Sequence, residues 1–158
     1  MLHIALYQPQ IPANTGNIIR LCANTGAQLH LIEPLGFTLD DKKLRRAGLD
    51  YHEWARVRCY PNLTEFINQQ QPQRLFALTT KGKTVYHQIL FETGDVLLFG
   101  AETHGLPSEL LTQLPNEQKL YLPMQANSRS LNLSNTVAIV LFEAWKHLNF
   151  TGAANLID

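Results

Sequence analysis

The sequence predicts an α/β fold, a mainly parallel sheet with helices on both faces, and three observations lead there. Strand-like and helix-like segments alternate along the chain. Two short runs, Leu75–Leu78 and Val96–Phe99, are apolar at every position, as befits strands covered on both sides. A third run, residues 120–122, ends like them in a loop of small, polar or charged residues. In open sheets of this kind ligands gather beyond the carboxyl ends of the strands. The pocket is therefore expected beyond residues 78, 99 and 122.

The elements follow in order. His3–Tyr7 reads as a strand, residues 14–24 as a helix and residues 29–33 as a strand. Residues 40–47 look helical, residues 56–60 extended and Leu63–Gln70 helical. A polar loop (Gln69-Gln70-Gln71-Pro72) precedes the three apolar runs, a helix at 107–114 separates the last two, and residues 132–148 form a long final helix. That helix leaves little polar face, with Leu133, Val137, Ile139, Val140, Leu141, Phe142, Ala144, Trp145 and Leu148 all apolar. A helix apolar nearly all round needs cover on several sides. A second copy of the chain, most simply in a two-fold dimer, is the expected cover, a helix wholly internal to the monomer the alternative.

The 158 residues fit a single domain, 1–158, large enough for its own core. Thirteen Lys and Arg balance thirteen Asp and Glu, so any grip on a polyanion must come from a local patch. Lys42, Lys43, Arg45 and Arg46 form the densest basic cluster, with Arg56, Arg58, Lys81 and Lys83 as further phosphate candidates; a solvated face fits the first cluster equally well. Cys22 and Cys59 are too few and too distant for a metal cluster or a disulfide framework, so no metal is expected. The N-terminal residues lack a basic lead and a long apolar stretch, and no apolar run approaches the roughly 18 residues of a membrane span. A soluble, cytoplasmic protein is expected.

Three segments carry chemistry. In Asn14-Thr15-Gly16-Asn17-Ile18-Ile19-Arg20, helical spacing turns Ile18, Leu21, Cys22 and Thr25 to the core and Asn17, Arg20 and Asn24 to the opposite face. That face fits a solvated surface with Asn14 as helix cap, or recognition of phosphate and sugar by amides and a guanidinium with no carboxylate nearby. In Phe99-Gly100-Ala101-Glu102-Thr103-His104-Gly105-Leu106-Pro107, two glycines bracket an acidic residue just past a buried strand. Glu102 there is a ligand-loop residue or a carboxylate near a helix N-terminus, and His104 reads as a loop histidine. In Leu122-Pro123-Met124 and Ser128-Arg129-Ser130-Leu131-Asn132-Leu133-Ser134-Asn135, the hydroxyls and amides exceed what capping the final helix needs. A rival motif, Ala77-Leu78-Thr79-Thr80-Lys81-Gly82-Lys83-Thr84, resembles a phosphate-binding P-loop but has Ala77 at its first defining glycine. No dinucleotide fingerprint follows the first strand.

These segments, together with Leu21-Cys22-Ala23-Asn24-Thr25-Gly26, Gly48-Leu49-Asp50-Tyr51-His52-Glu53, residues 75–82 and Glu143-Ala144-Trp145, resemble the SPOUT superfamily of RNA methyltransferases. The similarity runs over nearly the whole chain and is greatest to the small stand-alone tRNA 2′-O-methyltransferases. It implies transfer of a methyl group from S-adenosylmethionine to the ribose 2′-hydroxyl at wobble position 34 in tRNA anticodon loops, those of leucine tRNAs in particular. It further implies a C-terminal trefoil knot and a homodimer with the active site at the subunit interface. By the same resemblance, backbone groups around Leu78, Gly100, Leu122 and Ser130 hold the cofactor, while Arg20, Asn14, Glu102, Ser130 and Asn132 surround the reacting ribose. The chain departs from the family pattern at Ala101, His104 and Phe142, where Pro, Arg and Tyr are usual. The alternatives are a nucleotide-phosphate enzyme using the Lys81–Thr84 loop and a non-catalytic RNA-binding dimer.

Overall fold

A computed structural model describes residues 1–40, 42–46 and 48–154 of the chain, with the side chains of Lys43 and Arg45 outside the described set. Strands β1 (His3–Tyr7) and β2 (Gln28–Ile32) flank helix α1 (Pro12–Thr25). Two single-turn helices, α2 (Lys42–Arg45) and α3 (Tyr51–Trp54), lead to β3 (Val57–Tyr60). Then come α4 (Leu63–Gln70), β4 (Leu75–Leu78), the two-residue β5 (Thr84–Val85) and β6 (Val96–Phe99). Helix α5 (Ser108–Gln113), β7 (Lys119–Tyr121) and α6 (Leu133–His147) complete the order.

The seven strands form one sheet in the order β3-β2-β1-β6-β4-β7-β5, every neighbouring pair parallel. Strand side chains alternate between two cores because the side-chain period of a strand is two. Ile4, Leu6, Leu97, Phe99 and Phe76 point to one face, where Ile18, Ile19 and Cys22 of α1 and Val137, Val140, Leu141 and Ala144 of α6 cover them. Ala5, Leu98, Val96 and Ala77 point to the other, beneath Phe66 of α4 and Leu110 and Leu111 of α5. Helices on both faces of a parallel sheet are what the apolar runs predict. Cys22 is fully buried and its thiol is pushed up to about 12 by that burial, so it acts as a small apolar side chain.

Within the predicted helix at 40–47, Asp41 and Ala47 lie outside the described residues, Asp40 is in a turn, and only Lys42–Arg45 is helical. Helix α3 was not predicted; it stands on a capping box in which the Asp50 carboxylate accepts from Glu53 N (3.0 Å) and the Glu53 carboxylate from Asp50 N (2.6 Å). Asn14 is not the cap of α1: Ile11 holds the cap position and Pro12 lies in the first turn, which leaves Asn14 inside the helix and buried. Helix α6 buries one stripe, but Ile139 and Phe142 remain 40% and 47% exposed on another.

Candidate active site

Loops beyond β4, β6 and β7 meet at the carboxyl edge of the sheet and enclose a cleft of about 550 Å³. This is the edge the sequence indicates, and the volume suits a cofactor-sized ligand. Leu78, Thr79, Thr80 and Lys81 form one wall, Phe99 to Leu106 another, and Leu122, Met124 and Ser130 to Leu133 a third. Ile11 and Asn14 of the α1 entrance close it.

Each wall is fixed by its own backbone. After β4, Thr79 N donates to Leu120 O (2.9 Å) and Gly82 N to Thr79 O (3.0 Å), folding the loop down onto β7. A Cβ at Gly82 would lie 2.6 Å from the Leu120 carbonyl carbon, so only glycine permits this approach. After β6 the chain turns back on itself: Gly105 N donates to Ala101 O (2.9 Å), and a Cβ at Gly100 would meet the Gly105 carbonyl carbon at 2.2 Å. The third wall ends at Asn132, whose side-chain oxygen caps α6 by accepting from Ser134 N (2.8 Å).

A polar bridge joins the three segments found in the sequence. Glu102 Oε2 accepts from Gln10 N (2.7 Å), and its Oε1 accepts from Ile11 N (3.1 Å) and Asn14 Nδ2 (3.2 Å). Asn14 Oδ1 in turn accepts from Asn132 Nδ2 (2.9 Å). Glu102 does sit at a helix N-terminus, but that of α1 rather than the helix following its own loop. There it supplies the acceptor that Ile11 cannot, and a carboxylate suits the positive end of the helix dipole. Three donors hold the carboxylate in place, which makes it a fixed acceptor and orienter of Asn14. Its Oε1 gathers two of them.

The cleft thus unites Leu78, Gly100, Leu122, Ser130, Asn14, Glu102 and Asn132. Arg20 does not line it. Its guanidinium, on the exposed face of α1 with Asn17 and Asn24, donates through Nε to Glu53 Oε1 (2.9 Å) and through Nη2 to Gly48 O (3.0 Å). The sequence reading had no carboxylate beside Arg20; Glu53 is one, brought there by α3 across 33 residues. The capping-box spacing Asp50-x-x-Glu53 was the signal that could have found it.

Other candidates scatter. His104 is exposed and bonded to Thr103 Oγ1 (3.0 Å), a loop histidine as expected. Lys42, Arg46, Arg58, Lys81 and Lys83 are exposed, whereas Arg56 donates to Gly26 O (3.1 Å) at the end of α1. The P-loop reading fails on structure, because Lys83-Thr84 leads into β5 and a single 3₁₀ turn (Tyr86–Gln88) where a P-loop feeds a helix N-terminus. Among the described residues no group of three or more His, Cys, Asp or Glu could hold a metal ion, and no helix is long and apolar enough to cross a membrane.

An all-parallel α/β sheet with a three-walled cleft at its carboxyl edge defines a ligand-binding enzyme-like domain of the doubly covered class. The SpoU rRNA Methylase family matches residues 1–142, and the chain belongs to that family. The tRNA (cytidine(34)-2′-O)-methyltransferases of Yersinia pestis and of Escherichia coli K12 are each 57% identical to it, over 97% of this chain and 98% of theirs. A solved structure concerned with the 2-OH methylation of C/U34 on tRNA superimposes with a TM-score of 0.86 at 43% identity, covering 94% of this chain and 97% of the other. An AdoMet-bound rRNA methyltransferase from Sinorhizobium meliloti gives 0.81 at 28% identity, over 93% of this chain and 56% of the other. The family resemblance read from the motifs is thereby established.

Proposed function

We propose that the chain methylates the ribose 2′-hydroxyl of the wobble nucleotide, position 34, in tRNA anticodon loops, using S-adenosylmethionine, with leucine tRNAs as its targets in the cytoplasm. The observation that carries this reading is the single cleft holding Leu78, Gly100, Leu122 and Ser130 beside the Glu102–Asn14–Asn132 bridge. Full-length relatives at 57% identity bear names for that reaction.

The cleft suits the methyl donor. Leu78, Phe99, Leu106 and Leu122 offer an apolar bed for a flat base, and the loop backbones at 79–81 and 100–105 offer groups for its polar edges. When bound, S-adenosylmethionine supplies a methyl carbon activated by a sulfonium: the oxygen–carbon bond forms as the carbon–sulfur bond breaks, leaving a neutral thioether. The protein's share is to hold the two in line in a dry pocket and dispose of the hydroxyl proton. Ser130 and Asn132 stand on the cleft wall to orient that hydroxyl and pass its proton to water. A guanidinium is a fork of donors with no acceptor, so the role of Arg20 is to fix the phosphate next to the reacting ribose.

Arg20 lies off the cleft of its own chain, so the site is completed in a homodimer, where a second copy presents its Arg20 to the ribose. The exposed Ile139 and Phe142 of α6 support such pairing. The trefoil knot belongs to the same proposal. Its support is the late strand β7 seated between β4 and the earlier β5, with residues 79–83 lying tightly over its backbone.

Incubation with methyl-labelled S-adenosylmethionine and bulk tRNA, followed by nucleoside mapping, tests the reading. Label on a 2′-O-methylated pyrimidine at position 34 of leucine tRNAs is the expected result. Label elsewhere revises the target, and no transfer with tRNA still bound means a non-catalytic RNA-binding dimer.

A further inference from the structure

The loop that carries Gly48, Asp50 and Glu53 lies far from the cleft in sequence, and nothing in the reaction as described requires it. It nevertheless grips the one cation assigned to the substrate. Glu53 Oε1 takes the Arg20 Nε hydrogen at 2.9 Å, and Gly48 O takes one from Nη2 at 3.0 Å. Glu53 is itself fixed, because its second oxygen accepts from Asp50 N at 2.6 Å while its own N–H donates to Asp50 Oδ1 at 3.0 Å. Gly48 has φ 66°, a left-handed backbone suited to glycine. Arg20 is half exposed (48%) while the Glu53 side chain is 14% exposed, so the more exposed side chain leans on the more buried one.

A guanidinium is a flat fork of donors, and holding it through both Nε and one Nη fixes its plane as well as its position. An exposed long side chain otherwise has many rotamers to lose on meeting substrate. We infer that Glu53 is a positioning residue for the methyl transfer: through the capping box it presets the plane of Arg20 for the substrate phosphate, with the Gly48 carbonyl as the second stop. This rests on the role given to Arg20 above.

The test is a double-mutant cycle in the full-length protein, reading single-turnover methylation of tRNA, S-adenosylhomocysteine affinity and melting temperature. Arg20→Ala comes first: if it keeps normal turnover, the assignment of Arg20 is wrong. Given its loss, Glu53→Ala is expected to lower turnover by about 10- to 100-fold, the scale of a misplaced reacting group, with S-adenosylhomocysteine affinity unchanged within twofold. The double variant is expected to be no slower than Arg20→Ala alone, since Glu53 acts only through Arg20. Full turnover in Glu53→Ala, or a double variant slower by the product of the two single effects, overturns the inference.

Glu53→Gln guards against a folding defect, because glutamine keeps the capping box and an acceptor but loses the charge. It is expected to fold, to slow turnover by about 3- to 10-fold, and to shift the Arg20 Nε–H resonance in a nitrogen-15 spectrum. An unmoved resonance with unaltered turnover overturns the inference as well.

Discussion

Glu102 holds three donors from two residues of chain entry and one of helix α1, and so does for that helix what its cap residue Ile11 cannot. Glu102→Ala is expected to cost about 1–2 kcal/mol in urea denaturation, the scale of a lost cap plus a stranded amide. A fully stable variant would show that water replaces the carboxylate. A second polar chain runs beneath α4, against Phe66. His30, wholly buried, meets His3 Nδ1 through Nε2 (2.9 Å) and the Tyr60 hydroxyl through Nδ1 (3.0 Å), and Gln70 Nε2 donates to that hydroxyl (2.8 Å). Burial lowers His30 to about 3, helped by His3 and Arg58, and lowers His3 too. A histidine with a folded pKa below its unfolded value takes up its proton more readily when unfolded. Stability is therefore intact above about pH 6.5 and falls as the pH drops below it. At pH 5 the loss through His30 is about 2 kcal/mol. Melting curves between pH 7.5 and 5 check this: His30→Gln should lose less on acidification than the parent protein. Of these residues, Asn14, Glu102 and Asn132 were singled out by their motifs together with the family resemblance, since polarity alone left each open between a structural and a ligand-facing place. The His30 network was not, since a lone histidine in a strand has no period or spacing to betray its partners.

Strands and long helices were read from the sequence almost to the residue, because β4 and β6 are apolar throughout and α4 starts on the Asn62 cap, whose side chain accepts from Glu65 N. Two short elements, β5 and α3, escaped. β5 has no room for a period, and α3 has neither apolar stripe nor length, so it rests on local hydrogen bonds alone. Arg20's setting was hidden for this reason: its partner sits on the element that pattern could not show. Helix α6 carries the prediction at this scale. One stripe fills the core, while Ile139 and Phe142 stay open one turn apart. Phe142→Glu should yield a folded monomer by sedimentation velocity, with the parent protein sedimenting as a dimer. Turnover should fall as dimerisation is lost, because in the proposed dimer it is the Arg20 of a second copy that reaches the cleft. A monomeric parent would remove the basis for that arrangement.

At the scale of the molecule, the cleft is bounded by three loops that follow β4, β6 and β7. A ligand that binds only the assembled walls stabilises the whole chain. S-adenosylhomocysteine at 100 times its Kd is expected to add about 2.7 kcal/mol, seen as a raised melting temperature. Gly100→Ala should abolish that rise, since its methyl group would occupy the place of the Gly105 backbone. A retained rise would move the binding site elsewhere. Net charge is zero, so tRNA must be gripped by a confined set of cations, and the salt dependence of binding should report only a few phosphates.

The Asn14–Asn132 hydrogen bond spans 118 residues, and it has a consequence for the birth of the molecule. A chain emerging from the ribosome has Asn14 long before its last wall, since residues 130–136 complete the enclosure. Until they arrive, Asn14 lacks its Asn132 partner and the cleft lacks its third wall, so the methyl donor has nowhere to lodge. Competence thus waits for residues 130–136, and a copy that lacks them stays idle.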